Sequence, residues 1–491
     1  MNYMEMNSKK IFNATKWSSI TEIIAKMITP IVNMILARLL TPEAFGAVAT
    51  ITMVISFAEI FTDAGFQKYI IQHDFKDEDE LNKSTNVAFW TNFIISNVII
   101  IAIYLYRDAI AELVGSPGLG TSISIASVLI LIASFSSIQN ARYKRAFDFK
   151  SLFYARTVTA IIPLIVTVPL AVVMRNYWAL LIGNFASQLV NAIILTVNSK
   201  WKPSFDYNFI LLKQMFSFSA WTLLESISIW LTSYMGVFIV GSFLNEYYLG
   251  IYKTSMSTVN SYMGIITSAI TPVLFSTLSR YQDDEIEFKK TYYGFQRMVS
   301  VLIFPMGIGI YLFSDLVTQI LLGSQWMEAS GFVGLWGLTS SFTIVFSHFS
   351  SEVFRSKGNP KISLFSQLLH LSFLIPILLI FVNYNFGILY IARSTVRVQG
   401  ILTALIIMQV LYRFRIWDAI KNVLPMICSS FVMGVVGYGL QQISEHILWQ
   451  FVSIVICMVV YFTVLLVFFS TIRKEVFDIY INVVKKRREN N

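Results

Sequence analysis

Four basic residues lie inside long apolar segments, where a charge is costly: Lys26, Lys253, Arg393 and Arg397. Placing such a charge at the centre of a bilayer costs about 2.5–3.5 kcal/mol, so these side chains normally face protein or a water-filled cavity. At about 1.5 Å per helical residue, Lys26 lies roughly 15 Å and Arg397 roughly 18 Å from the nearer end of its segment. The four residues are therefore candidates for a binding site within the membrane.

The spacing of the two arginines favours an anionic ligand. Arg393 and Arg397 are four residues apart, so they lie on the same face of a helix. Two like charges on one face cannot neutralise each other. A guanidinium group can bind phosphate through two parallel hydrogen bonds, and phosphate is therefore a geometrically suitable anion.

Two acidic residues support a different interpretation, in which the charges pair within the protein. Glu22 precedes Lys26 by four residues, and Glu225 lies at a depth comparable with that of Arg397. Glu22 could pair with Lys26, and Glu225 with Arg393 or Arg397, so that the pairs would hold helices together or couple their movement. Four deep cations against two comparably deep acids favour a cationic, partly neutralised cavity.

The sequence offers little support for other chemistry. The cysteines, Cys428 and Cys457, fall within apolar segments and are expected to be small buried residues. There is no GxxxxGK[ST] loop for nucleotide phosphates, no metal-ligand spacing, and no set of nucleophile, base and acid. We therefore predict that the protein is not an enzyme and that it uses no cofactor or metal.

Long apolar stretches account for most of the chain. Hydrophobic residues make up 56% of the 491 residues and charged residues 13%. A bilayer core requires about 20 apolar residues per helix. Fourteen stretches have this character: 14–39, 42–65, 86–106, 121–140, 152–174, 177–198, 214–242, 247–278, 296–320, 328–351, 362–382, 386–411, 423–441 and 447–470. The prediction is an all-α integral membrane protein with about 14 transmembrane helices.

The basic residues are concentrated on alternate connections between these stretches. Thirty of the 37 Lys and Arg residues lie at one set of ends, whereas the opposite connections hold only Arg38, Arg107 and Arg175. Short loops rich in Lys and Arg remain in the cytoplasm, so both termini are predicted to be cytoplasmic. The net charge of +9 would then face anionic lipid headgroups, and we predict no nucleic-acid binding.

A faint internal repeat divides the chain into two halves. An offset of 204 residues aligns Trp17 with Trp221, Leu40 with Leu244, and Gly46 with Gly250. Each glycine lies just inside a returning helix, where a missing side chain would allow close helix packing. Parallel halves of this kind are a common transporter plan. The predicted domains are an N-terminal lobe, a C-terminal lobe, and the last two spans with a basic tail: 1–205, 206–415 and 416–491.

Four stretches resemble Wzx-type flippases and polysaccharide exporters of the multidrug/oligosaccharidyl-lipid/polysaccharide flippase superfamily. They are LLTPEAFGAVATITMVISFAEIFTDAGFQKYIIQ (39–72), NARYKRAFDFKSLFYAR (140–156), IVGSFLNEYYLGIYKTSMS (239–257) and TPVLFSTLSRYQDD (271–284). The resemblance implies a fourteen-helix, two-lobed fold around a central cavity. It also implies passage of undecaprenyl-diphosphate-linked oligosaccharide between the leaflets of a bacterial cytoplasmic membrane.

Taken with the embedded charges, this resemblance predicts an alternating-access transporter of lipid-linked surface-polysaccharide precursors. Lys26, Lys253, Arg393 and Arg397 would bind the substrate. Its partners would be the lipid-linked oligosaccharide, membrane lipids, and the polymerase and other proteins of the same pathway. A lipid II flippase is an alternative, because its substrate shares the diphosphate-prenyl group. A drug/cation antiporter of the same superfamily is another, but it would need a net acidic cavity.

Overall fold

The computed structural model describes residues 27–470 except 64, together with 472 and 473. Within these residues the chain forms α-helices joined mostly by short turns. In chain order they are α1 (Met27–Leu39), α2 (Pro42–Asp63), α3 (Phe66–Gln72), α4 (Glu78–Leu105), α5 (Arg107–Leu113), α6 (Gly120–Ala126), α7 (Val128–Arg145), α8 (Phe149–Ile162), α9 (Val168–Met174), α10 (Tyr177–Asn198), α11 (Phe209–Phe243), α12 (Glu246–Arg280), α13 (Glu285–Leu312), α14 (Ser314–Leu321), α15 (Ser330–Thr343), α16 (Phe349–Ser356), α17 (Pro360–Phe381), α18 (Phe386–Tyr412), α19 (Ile416–Gln441) and α20 (Ile447–Phe468). One-turn π-helices follow α8 and α15, and a 3₁₀ helix precedes α15.

The predicted all-α membrane architecture is confirmed. Thirteen of the described helical segments are long and apolar enough to cross a membrane, and the shorter apolar helix α1 falls within the first predicted span. Helices α11 and α12 contain 35 residues each, which corresponds to about 52 Å. Because a bilayer core is only about 30 Å thick, both helices are long enough to extend beyond it.

Polar residues define where several of the helices begin. The side chains of Asp77, Asn208 and Asp284 accept hydrogen bonds from first-turn backbone N–H groups of α4, α11 and α13. These N–H groups have no partner within the helix, and an N-cap of this kind stabilises a helix by about 1 kcal/mol. All three caps fall in the basic connections, so the segments that carry the positive charge also start the spans.

The helices form two compact units. The first runs to Ala269 and also includes Leu321–Trp326 and Gln367–Arg393. The second comprises Ile270–Ile320, Met327–Ser366 and the chain from Ser394 onward. The boundaries therefore fall within α12, α14, α17 and α18 and within the 3₁₀ helix before α15. Of the described candidate cations, Lys253 and Arg393 belong to the first unit and Arg397 to the second.

Reciprocal packing of two glycines organises the first unit. A Cβ atom added to Gly46 would lie 1.9 Å from the backbone oxygen of Glu246, and one added to Gly250 would lie 1.8 Å from that of Pro42. Each glycine therefore contacts the first residue of the helix that carries the other. This contact confirms the prediction that the missing side chains allow close packing. It also fixes α2 against α12 one turn before Lys253.

In the second unit, close packing of α13 against α15 fixes the helix that contacts Arg397. A Cβ atom added to Gly307 of α13 would lie 2.6 Å from the Ser341 side chain, and one added to Gly337 of α15 would lie 2.5 Å from the Ile310 side chain. Glycine on each helix therefore receives a side chain of the other. This interlock holds α15 in place along its length.

Candidate functional site

In the first unit, Lys253 lies at the end of a row of aromatic rings. Its Nζ is 4.9 Å from the centroid of the Tyr234 ring, which is a cation–π contact. Tyr234 stacks on Trp230 with centroids 5.5 Å apart, and Trp230 contacts Phe57 at 4.7 Å. The Trp230 Nε1–H donates to Ser56 Oγ at 3.0 Å, which fixes the indole between α2 and α11. We call Phe57, Trp230 and Tyr234 the aromatic row.

The aromatic row and Lys253 are incompletely buried, so they remain able to contact another molecule. Phe57 is 39% exposed, and Trp230, Tyr234 and Lys253 are half-buried. Trp230 and Tyr234 are four residues apart on α11, so their rings follow one face of that helix. The arrangement offers flat apolar surfaces, which suit the C–H faces of sugar rings, followed by an ammonium group, which suits phosphate.

Arg393 is held inside the first unit. Its Nε donates to the Oη of Tyr252 at 3.0 Å, and the two residues are 7% and 1% exposed. Tyr252 in turn fits against Gly236, where an added Cβ would lie 2.3 Å from the tyrosine oxygen. The guanidinium therefore links α18 to α12, and Tyr252 packs α12 against α11.

Arg397 is held in the second unit by a different set of contacts. Its guanidinium carbon lies 3.2 Å from the centroid of the Trp336 ring. Its Nη1 donates to the Trp336 carbonyl at 3.3 Å, to Thr339 Oγ1 at 3.3 Å, and to Ser340 Oγ. These acceptors on α15 carry no formal charge and orient the guanidinium. Arg397 is half-buried, in contrast to Arg393.

The predicted same-face arginines therefore have separate partners, one in each unit. Arg393 contacts the hydroxyl of Tyr252, and Arg397 contacts the ring and hydroxyls of α15. Two further candidates, Lys26 and Glu22, lie outside the described residues.

Glu225 pairs with a residue that the sequence analysis did not consider. Its Oε2 lies 2.7 Å from Lys68 Nζ, and the two side chains are 41% and 44% exposed. The partner expected for Glu225 was Arg393 or Arg397, and this structure corrects that expectation. The sequence analysis estimated the depth of Glu225 by counting residues along its span. That estimate failed because α11 is about 52 Å long, so part of the helix before Glu225 can lie outside the bilayer core. The Glu225 carboxylate therefore lies at the level of Lys68, which is in α3 just beyond the end of α2.

We expect replacement of Glu225 by glutamine to have little effect on stability. Because the Lys68–Glu225 pair is partly exposed on both sides, solvent screens it, and such pairs contribute about 0–1 kcal/mol. The amount of folded protein recovered from membranes should match the wild type. If the pair were buried inside the membrane, the substitution would lower the free energy of unfolding by several kcal/mol. A large loss of folded Glu225→Gln protein would therefore contradict a solvent-exposed pair.

Sequence reasoning missed the residues that position the cations. Trp230, Trp336, Thr339 and Ser340 lie within spans, and tryptophans of membrane proteins are more usual at the interfaces. A signal was available: Trp336 and Ser340 are four residues apart, and so are Trp230 and Tyr234, a spacing that places each pair on one helix face. Among the described residues, no group of three or more His, Cys, Asp or Glu side chains could hold a metal ion.

This fold, with cations set inside its spans, is that of a polytopic α-helical membrane protein. It matches the lipid II flippase MurJ in an inward closed conformation with a TM-score of 0.76 at 15% identity, covering 92% of this chain and 99% of that one. It also matches an inward-facing multidrug resistance MATE family transporter of the MOP superfamily. There the TM-score is 0.58 at 13% identity, over 82% of this chain and 99% of the other. At these identities the likeness concerns the fold alone.

The family follows from the sequence profile that residues 35–331 match, described as polysaccharide biosynthesis protein. The match covers more than half of the chain, and the chain belongs to this family. The membership confirms the resemblance carried by the four stretches.

Similar proteins act in polysaccharide biosynthesis according to their names. The succinoglycan biosynthesis transport protein ExoT of Rhizobium meliloti is 23% identical over 68% of this chain and 67% of its own length. The lipopolysaccharide biosynthesis protein WzxC of Escherichia coli is 22% identical over 65% of this chain and 64% of its own length. The chain thus spans about two thirds of these two relatives. The teichuronic acid biosynthesis protein TuaB of Bacillus subtilis is 20% identical over 90% of this chain and 91% of its own length.

Proposed function

We propose that this protein flips an undecaprenyl-diphosphate-linked oligosaccharide, the precursor of a surface polysaccharide, across a bacterial cytoplasmic membrane. Membership of the polysaccharide biosynthesis family supports this substrate class. The observation that carries the proposal is the position and surroundings of Lys253 and Arg397. Both are cations within spans, both lie against aromatic rings, and both remain partly exposed. A substrate that bears two phosphates and several sugars complements cations next to flat apolar rings.

Each candidate residue has a distinct role in this proposal. Lys253, Arg393 and Arg397 bind the anionic head of the substrate, and the hydrogen bond from Arg393 to Tyr252 also links α18 to α12. Lys26 supplies a further cation on the first span, as its depth in the sequence indicates. Glu22 is its charge partner, four residues earlier on the same helix. The aromatic row stacks on the sugar rings.

The proposed transport cycle is alternating access. The lobes 1–205 and 206–415 move relative to each other, so that the substrate head is exposed first to the cytoplasmic leaflet and then to the outer leaflet. The segment 416–491 adds the last two spans and a basic tail. The prenyl chain stays within the bilayer throughout, because its transfer into water would expose a large apolar surface.

In this proposal the basic connections and both termini face the cytoplasm. The excess of Lys and Arg on alternate connections supports that orientation. Reporter fusions ending at Lys150 should show cytoplasmic activity, and fusions ending at Asp108 should show external activity. The opposite pair of results would show that the protein has the reverse orientation in the membrane.

Reconstitution of the purified protein tests the function. Vesicles containing the protein should move a fluorescent undecaprenyl-diphosphate oligosaccharide between leaflets, as measured by its accessibility to a membrane-impermeant quencher. Empty vesicles should not. If the protein moves only lipid II, the lipid II flippase alternative is correct. If it moves a cationic dye and leaves both lipids in place, the antiporter alternative is correct.

A further inference from the structure

The first unit contains a polar cavity of about 790 Å³ at the ends of three spans. Its lining includes Glu78, the first residue of α4, Arg142 in the last turn of α7, and Asn198, the last residue of α10. It therefore lies on the side of the protein where the basic connections are found. Its volume falls in the range of about 300–1,000 Å³ that is typical of small-molecule sites.

Basic groups outnumber acidic groups in the cavity lining. Arg142, Lys200 and Lys202 line it together with two carboxylates. One carboxylate, Asp148, caps α8 by accepting from the backbone N–H and the hydroxyl of Ser151 at 3.1 and 2.7 Å. The other belongs to Glu78, treated below. Lys202 donates to carbonyls in the last turn of α10, so Arg142 and Lys200 are the cations available to a ligand.

Glu78 does not close off the Arg142 guanidinium. The nearest approach, from Glu78 Oε2 to Arg142 Nη2, is 3.7 Å, which is longer than a hydrogen bond. The Glu78 side chain is 80% exposed, whereas that of Arg142 is 17% exposed. An exposed carboxylate can rotate away at little cost, because water solvates it.

Three polar atoms at the cavity are buried without a hydrogen-bond partner in the part of the chain that the structure describes: Trp201 Nε1, Arg142 Nη1 and Asn82 Oδ1. Trp201 is only 6% exposed, and its ring packs edge-on against Phe89 at 5.9 Å. Buried polar groups are rarely left unpaired, because each one costs about 1–3 kcal/mol. Two donors and one acceptor are therefore unpaired in residues that line the cavity.

The surroundings of the cavity are apolar and exposed, as at a lipid-facing surface. Phe147, Val197 and Phe205 are 53%, 68% and 91% exposed. Each is adjacent in sequence to a residue that lines the cavity. A ligand bound there would have a charged group among the donors and apolar chains beside these side chains.

We propose that this cavity binds the phosphodiester headgroup of an anionic glycerophospholipid such as phosphatidylglycerol. The phosphate accepts from Arg142 and from the Trp201 N–H, with Lys200 at the exposed side. The headgroup hydroxyls donate to Asn82 Oδ1 and to the Glu78 carboxylate. These contacts explain why hydrogen-bond acceptors line a site that is basic as a whole. Basic pockets between spans on the cytoplasmic side suit such headgroups. The site is separate from the proposed transport site and does not depend on it.

Binding of a short-chain lipid to the detergent-solubilised full-length protein tests this site. Dioctanoyl phosphatidylglycerol should bind at least about tenfold more tightly than dioctanoyl phosphatidylcholine, because only the former is anionic. Trp201→Phe keeps an aromatic ring against Phe89 and removes the N–H donor, and it should weaken phosphatidylglycerol binding by about tenfold. Arg142→Gln should weaken it by at least as much.

Two matched control variants distinguish effects at the cavity from general effects of losing a positive charge or an indole ring. Lys150→Gln removes one charge from the same basic connection, and Trp178→Phe makes the same ring change at the opposite end of α10. Both should bind phosphatidylglycerol as the wild type does. Lys200→Gln alters an exposed side chain, so it reports on binding even if Arg142→Gln protein is unstable.

Two outcomes would overturn the proposal. If Trp201→Phe and Lys200→Gln both bind phosphatidylglycerol with wild-type affinity, the cavity is not its site. If sn-glycerol 3-phosphate binds as tightly as the lipid, and the cavity variants abolish its binding, the cavity takes a soluble phosphate ester and the lipid assignment is wrong.

Discussion

Arg397→Ala should reduce transport of the lipid-linked oligosaccharide by about 30-fold or more. Removing a desolvated cation that binds a phosphate costs about 2–5 kcal/mol, and about 2 kcal/mol corresponds to that factor. The fold should survive, because the retained partners on α15 are neutral hydroxyl, carbonyl and indole groups. The measurement is the initial rate of movement in vesicles, normalised to the amount of reconstituted protein.

Arg397→Lys should recover only part of this transport. A lysine ammonium cannot cover the Trp336 ring and donate a planar fork at the same time. Arg415→Ala is the matched control, since it removes an exposed arginine three residues beyond the end of α18 and should leave the rate unchanged. Wild-type transport by a well-folded Arg397→Ala protein would show that Arg397 is structural.

Gly250→Ala should prevent accumulation of folded protein. The new Cβ would lie 1.8 Å from the Pro42 oxygen and 2.6 Å from its carbonyl carbon, and both are backbone atoms that no side-chain rotation can move. Overpacking commonly costs about 1–3 kcal/mol, and a backbone obstacle of this kind places the loss of unfolding free energy at about 3 kcal/mol or above. Gly46→Ala should behave alike, because its Cβ would meet the Glu246 oxygen at 1.9 Å.

Gly294→Ala provides the control for these variants. Among the described residues, no heavy atom outside its chain neighbours and the backbone of its own helix lies within 4 Å of the Cβ position at Gly294 in α13. The substitution there should raise helix stability by about 0.5–1 kcal/mol, because glycine is unfavourable within a helix. Size-exclusion profiles and thermal unfolding of the three proteins in detergent give the comparison. Monodisperse Gly250→Ala protein with wild-type thermal stability would show that the hairpins have space to separate.

The close contact of the two glycines also bears on the transport cycle. It places the starts of α2 and α12 within backbone contact in the first unit, one turn before Lys253. Movement of α2 relative to α12 would therefore have to break this contact or pivot about it. The same hairpins carry the predicted repeat of Gly46 and Gly250.

The sequence alone determined the class of protein, thirteen of the predicted spans and the packing role of the two glycines. The predicted stretches 177–198, 386–411 and 447–470 agree closely with α10, α18 and α20. This success has a local cause, since a span requires only that about 20 consecutive residues be apolar. Gly46 and Gly250 were identifiable for a similar reason, because a very short turn followed by glycine is a local pattern.

Only the tertiary structure decided which partners the charged residues have. Lys253 on Tyr234, Arg393 on Tyr252, Arg397 on Trp336 and Lys68 on Glu225 join residues far apart in the chain. The polar cavity at the ends of α4, α7 and α10 likewise takes its lining from separate connections. The partner of a side chain depends on how far each helix is rotated and shifted along its axis. In a membrane, packing among many helices sets that rotation and shift, while the hydrophobicity of each helix fixes only that it spans.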